Sequence, residues 1–230
     1  MATYTFYSNQ VNPPAESPWA AVMSRDVSDC CIRIPGFGNV MPTADYTLEF
    51  WNNTFQVSGP EVAFTMNNQD NGTNRVLSHV WWTGDSRLYF DNGNIGAGGI
   101  SDIGRISGPH PDFLQNQWHH LCYQVDAAAN QMRVFIDGEL FLQENHYDTF
   151  KRMNCDFIIG GPAGVRHYGA MSEFRIWSYV RTQQQIQATM QRVVNLPQPG
   201  LVGCWRLDDS VARGGPIVDR SGNGHDGVLT

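Results

Sequence analysis

Met132-Arg133-Val134-Phe135-Ile136-Asp137-Gly138-Glu139-Leu140-Phe141-Leu142 is the stretch that decides the fold. Up to Ile136 its residues alternate between apolar and polar or outward-facing positions, the period of a strand with one buried face. Asp137-Gly138 then provides the pair of residues that tolerates the positive φ angles of a type I′ turn, and an apolar run resumes after it. Two antiparallel strands joined by a two-residue hairpin are expected. Outward from this hairpin the same alternation recurs in Leu48/Phe50, Val62/Phe64/Met66, Leu88/Phe90, Leu121/Tyr123/Val125 and Phe174/Ile176. Turn-forming clusters at Asn67-Asn68-Gln69-Asp70-Asn71-Gly72 and Gly96-Ala97-Gly98-Gly99 separate the runs. Short strands punctuated in this way predict an all-β fold, a two-sheet antiparallel sandwich.

One segment departs from the strand period. Thr182 stands three residues before Gln185, the spacing of a capping box, and Ile186, Met190, Val193 and Val194 follow at helical intervals before Pro197 and Pro199. A single short helix over 182–194 is expected.

The bulk properties agree. Charged residues make up 16% of the 230 positions and aromatics 12%, with 23 glycines, which favours strands and tight turns over long solvated helices. A net charge of −7 offers no basic footprint for a phosphate backbone, so nucleic acid is not an expected partner. No window is apolar for long enough to insert in a membrane, and Met1 to Phe6 has neither a basic nor an apolar signal region. The expectation is a soluble chain, cytoplasmic or exported without a signal peptide. Cys30, Cys31, Cys122, Cys155 and Cys204 form no C-x-x-C pair and read as buried free thiols. No repeat or linker divides the chain. One domain over 1–230 is expected, with 1–30 as an N-terminal strand and leading segment and 200–230 as the closing strand and glycine-rich loop.

Four stretches, in order, carry a resemblance. They are Cys31-Ile32-Arg33-Ile34-Pro35 leading to Thr47-Leu48-Glu49-Phe50-Trp51; Trp118-His119-His120-Leu121 with the Val134 to Gly138 hairpin; Arg175-Ile176-Trp177 running on to Arg181-Thr182; and Gly200 to Leu207 with Asp219-Arg220-Ser221-Gly222-Asn223-Gly224. Together they resemble the laminin-G-like and pentraxin-like branch of the concanavalin A-like lectin/glucanase sandwiches. The resemblance implies a jelly roll and carbohydrate binding.

Glucanases on this sandwich bring paired carboxylates from one strand as Glu-x-Asp-x-x-Glu, and no such string occurs here. A non-catalytic module is the expectation, with a divergent glycoside hydrolase and a protein-interaction or self-assembly module, including a homo-oligomer, as alternatives. The pentraxin resemblance makes calcium (Ca2+) a candidate cofactor. Asp70-Asn71 stand where it would put the first ligand pair, but the second loop, Gly160-Gly161-Pro162-Ala163-Gly164, has no carboxylate for a cation needing six to eight oxygens. Asp219, Asn223 and Asp226 are a second candidate set that turn chemistry explains equally well.

Sugars present apolar C–H faces rimmed by hydroxyls, so a glycan site combines a ring with polar side chains. His146-Tyr147-Asp148 and Arg166-His167-Tyr168 have that composition and are expected to meet at one end of the sandwich. Trp81, Trp82 and Asp85 are the second place to look.

Overall fold

The computed structural model describes residues 21–23, 31–55, 60–67, 75–82, 84–93, 104–110, 115–161, 167–194, 196–207 and 214–230. Within these, the strands in chain order are β1 (Ala21–Met23), β2 (Ile32–Ile34), β3 (Tyr46–Thr54), β4 (Glu61–Asn67), β5 (Arg75–Trp82), β6 (Arg87–Asn92), β7 (Arg105–Pro109) and β8 (His119–Asp126). They continue with β9 (Gln131–Ile136), β10 (Glu139–Glu144), β11 (Phe157–Ile159), β12 (Gly169–Trp177), β13 (Leu201–Trp205), β14 (Pro216–Ile217) and β15 (Gly227–Leu229). The described α-helix, α1, spans Gln183–Thr189.

Two antiparallel sheets face each other. A seven-stranded sheet runs β1-β12-β3-β8-β9-β10, with β13 also on β12, and an eight-stranded sheet runs β14-β15-β2-β11-β4-β5-β6-β7. The alternating apolar residues supply the space between them: Leu48, Phe50, Phe64, Met66, Leu88, Phe90, Leu121, Tyr123, Val125, Val134, Ile136, Phe174 and Ile176 all belong to one buried cluster. Phe50 stacks on Phe174 with ring centroids 4.3 Å apart. Each such side chain contributes about 1.5–3 kcal/mol by leaving water. The turn at Asp137 (φ 52°) and Gly138 (φ 79°) has the two positive φ angles that a type I′ hairpin demands, and it pairs Ile136 with Glu139.

The outer face of the seven-stranded sheet is not solvent but the bed of α1. Thr182 caps the helix through a complete capping box with Gln185, and Ile186 packs on Cys122 and Phe135. The helix ends at Thr189, short of Val194, because sheet side chains take its last carbonyls. Trp51 Nε1 donates to Met190 O at 2.7 Å, and Arg175 donates to Thr189 O and Arg192 O. Val194 instead packs with Trp177, Leu201 and Cys204.

The strand directions define two ends of the sandwich. β3 runs from Tyr46, whose hydroxyl donates to Asn92 at the exit of β6, to Thr54 beside the entry of β12. The Tyr46 end therefore carries the end of β6, the start of β7, the β8–β9 turn and the segment after β10. The Thr54 end carries the start of β4, the β5–β6 turn, the end of β7 and the start of β12. Arg105 and Asp91, flanking the β6–β7 excursion, form a two-pronged ion pair at 2.6 and 3.0 Å. No helix among the described residues is long and apolar enough to cross a membrane.

Candidate functional site

Glu61, Trp81, His110 and His167 converge at the Thr54 end from four separate segments. With Asn52, Thr54, Ala63 and Leu121 they line a pocket between the sheets, and about 10 Å³ inside it accepts the centre of a water-sized group. β3 contributes Asn52 and Thr54, β8 contributes Leu121, and the opposite sheet contributes the other wall through β4 and β5. Trp81 lies flat on His110, with ring centroids 3.3 Å apart and planes 7° from parallel. His167 Nδ1 stands 3.7 Å from Glu61 Oε2.

Among the described residues, two buried atoms in this lining have no partner: the donor Trp81 Nε1 and the acceptor Asn52 Oδ1. The Asn52 amide nitrogen is already engaged with Thr54 Oγ1 at 3.0 Å. An unpaired buried donor or acceptor costs about 1–3 kcal/mol, so a group carrying both functions is favoured there. Next in chain to the lining residues Thr54 and His167, Phe55 and Tyr168 meet edge to face at 5.7 Å, tied by Phe55 N donating to Tyr168 O. Both rings are half-buried.

The structure separates residues that the sequence reading joined. His146-Tyr147-Asp148 lie at the Tyr46 end, not beside His167-Tyr168. The reason is strand direction: β10 carries the chain from the Asp137-Gly138 turn at the Thr54 end back across the sheet before residue 145 begins. There Asn92 donates to Asp148 O, Thr149 N donates to Asp148 Oδ1, and Phe150 N donates to Thr43 O. Tyr147 packs against the main core. These are contacts of a pinned loop.

At the Thr54 end, His167, Tyr168 and Trp81 do assemble, and Asp85 lies on the β5–β6 turn, exposed and accepting from Arg87 N and the Tyr89 hydroxyl. Arg166 and the Asp70-Asn71 pair fall outside the described residues, as does the side chain of Trp82. Sequence reasoning missed Glu61 because alternation with Val62, Phe64 and Met66 assigns it to the outer face. A bulge between Val62 and Phe64 shifts the phase and turns Glu61 inward.

The Asp219 loop is not arranged for a cation. Asp219 Oδ1 accepts from Cys204 N and Ser221 N, Oδ2 accepts from His225 N and Ser221 Oγ, and Asn223 spends its amide on Leu201 O and Val202 O. Its oxygens are occupied in closing the turn. Among the described residues no group of three or more His, Cys, Asp or Glu side chains is placed to hold a metal.

A laminin G family profile described as concanavalin A-like lectin/glucanases superfamily matches residues 29–187. The chain belongs to that superfamily. Among solved structures, this concanavalin A-like chain is similar to a candidate carbohydrate-binding protein from Bacteroides ovatus, with 21% identity and a TM-score of 0.67 over 91% of this chain. The match spans 57% of that protein's length. Domain 4 of the extracellular arabinanase AbnA from Geobacillus stearothermophilus, solved with arabinotriose, matches at 20% identity and TM-score 0.57, covering 82% of this chain and 81% of that one. A heptameric pentraxin from Limulus polyphemus matches at 16% identity and TM-score 0.51, covering 74% and 79%. No curated protein sequence matches the chain.

Apart from Leu121, the motifs that carried the resemblance build the concanavalin A-like scaffold and not the pocket. Glu49 is fully buried under α1, where Arg181 reaches it at 2.6 Å, Trp177 Nε1 donates at 3.0 Å, and Arg175 and His120 stand at 3.6 Å. Burial opposes ionisation of Glu49, but Arg181, then His120 and Arg175, together with the Trp177 hydrogen bond, outweigh it and hold the carboxyl below its usual range. This network clamps helix to sheet. Cys31, Cys122, Cys155 and Cys204 are buried free thiols, and burial pushes Cys204 up to about 12.

Proposed function

We propose that the chain is a non-catalytic carbohydrate-binding module and that the Thr54 end is its binding site. The observation that carries this is the pairing of a donor and an acceptor unpartnered among the described residues, Trp81 Nε1 and Asn52 Oδ1, with the half-buried rings of Phe55 and Tyr168, next in chain to the lining residues Thr54 and His167. One sugar hydroxyl donates to Asn52 and accepts from Trp81, while the apolar face of the ring lies on Tyr168 or Phe55. The small interior has room for one hydroxyl and leaves the sugar ring outside it. His167 and His110 orient the polar wall, and Asp85 lies within the same end. The His146-Tyr147-Asp148 loop serves as an anchor at the opposite end.

The carbohydrate reading is supported by the superfamily and by the similarity to the Bacteroides protein and the arabinotriose-bound arabinanase domain. Glycoside hydrolysis requires two facing carboxyl groups about 5–10 Å apart, and among the described residues only one carboxylate, Glu61, lines the pocket. That supports binding without catalysis.

The test is a glycan array run with and without a chelator, followed by titration of arabinotriose and of the best array ligands. Tyr168→Ala is expected to weaken binding about tenfold, worth about 1.4 kcal/mol, with the melting temperature nearly unchanged. Trp81→Phe keeps the ring on His110 and deletes the donor, and should weaken binding similarly. Wild-type affinity in both variants would refute the site.

A further inference from the structure

α1 places one side chain, Ile186, fully in the interior. Ile186 packs on Cys122 of β8 and Phe135 of β9, a small cluster separate from the core between the sheets. The helix is otherwise held by hydrogen bonds. Arg181 donates to Gln185 O and Thr189 Oγ1 at 3.0 and 2.7 Å, Arg175 to Thr189 O at 3.2 Å, and Trp51 Nε1 to Met190 O at 2.7 Å. Gln183 and Gln187 donate to Glu139 at the surface. A helix of seven residues does not persist in water by itself, so these contacts decide whether it stays on the sheet.

Both arginine donors depend on one ion cluster. Glu49, fully buried on β3, holds Arg181 at 2.6 Å and stands 3.6 Å from Arg175 and from His120 Nε2. Glu173 of β12 pairs with Arg175 at 2.9 Å. His120 is 1% exposed. The charged groups around it are Glu49 on β3, Arg175 on β12, Arg181 before α1, and Asp137, which accepts from the His120 backbone nitrogen at 2.8 Å. α1 itself carries no charged side chain from Gln183 to Thr189. With His120 neutral, two buried arginines face two buried carboxylates. A proton on the ring adds a third cation, which water hydrates only when the helix lifts.

We propose that α1 is an acid-released strap: proton uptake by His120 frees the helix from the sheet while the sandwich stays folded, uncovering Cys122 and Trp51. Lifting the helix moves the imidazole from a site where burial lowers its pKa from 6.5 to about 4 into water, where the ordinary value returns. The open state therefore takes the proton first, and its population rises about twentyfold between pH 7 and pH 5. The main apolar cluster lies on the other side of the sheet and keeps its contacts.

Cys122 reports the motion, since it is fully buried beneath Ile186, and Cys155, in the core between the sheets, reports global unfolding. The protein is treated with 4,4′-dithiodipyridine, which modifies thiols even in acid, at pH 7, 6 and 5. Modification of each cysteine is followed by peptide mass spectrometry and divided by its rate in the urea-unfolded chain at the same pH. Cys122 is expected to react at least about tenfold faster than Cys155 at every pH, and its rate to rise about twentyfold from pH 7 to 5. In His120→Gln the Cys122 rate should change by less than about threefold over that range. Equal rates at Cys122 and Cys155 overturn the proposal, because the thiol would then be reached through global unfolding alone. A Cys122 rate that is flat with pH, or a rise that persists in His120→Gln, also overturns it. Where His120→Gln lacks the wild-type melting transition, the wild-type comparison of the two thiols across pH decides between the same outcomes.

Discussion

His120 should make the fold acid-sensitive in a defined window. Its ring lies on the outer face of β8, 1% exposed, edge-on to Trp51 at 5.4 Å, with Nε2 3.6 Å from Glu49. Burial lowers its pKa from the ordinary 6.5 to about 4; Glu49 and Asp137 pull upward but do not overcome burial, which Arg175 and Arg181 reinforce. The folded state therefore keeps the ring neutral where the unfolded chain already binds a proton. The unfolded state holds more protons between pH 6.5 and 4, so stability is complete above the unfolded value and is lost as pH falls toward the folded one. The gap corresponds to about 3 kcal/mol in full, and about 2 kcal/mol is already lost at pH 5. Glu49, held below its usual range, gives up its own contribution at lower pH, so the window above pH 5 isolates the imidazole. Urea denaturation of the wild type and His120→Gln at half-unit steps from pH 7.5 to 5 measures this directly. The constant offset between the two reflects lost packing, and the change in that offset reflects the proton. The wild-type advantage should shrink by about 2 kcal/mol over the range. Parallel curves would mean that the ring is hydrated or already protonated in the fold, and the argument would fail.

Other outcomes follow from the same contacts. Glu49→Gln strands Arg181 in the interior, while Arg175 keeps Glu173 at 2.9 Å, and should cost about 3–5 kcal/mol in denaturant unfolding, where a cost below about 1 kcal/mol would show that the cation finds water instead. Gly138→Ala places a Cβ 2.6 Å from Gln187 Cγ at a residue with φ 79°, so a loss of about 1–3 kcal/mol is expected, and wild-type stability would refute the tight approach of hairpin and helix. A chain ending at Pro199 loses Trp205 and Leu207 from the core, each worth about 3–5 kcal/mol, and should give no cooperative thermal transition. Trp205→Ala tests the same contact in the intact chain and should lower the melting temperature by more than about 6 °C.

Local pattern alone determined a great deal of this protein. Alternation at Leu48/Phe50, Leu121/Tyr123/Val125 and Phe174/Ile176 reports a buried face because a strand repeats every two residues, whatever its partner. Asp137-Gly138 and the Thr182 to Gln185 box are legible for the same reason, since turn and cap chemistry act within a few residues. The buried thiols were readable as well. What a local pattern does not carry is direction and distance across the sandwich. That β10 returns the chain to the Tyr46 end, putting Asp148 far from Tyr168, is decided by strand order. That Thr47-Leu48-Glu49-Phe50-Trp51 turns its polar side chains under a helix and not toward solvent depends on where α1 docks. The helix stops at Thr189 because Trp51 and Arg175, distant in sequence, take its last carbonyls. Glu61, Trp81, His110 and His167 form one pocket only because both sheets close over that end. A one-residue bulge in β4, invisible to a period of two, is what turns Glu61 into it.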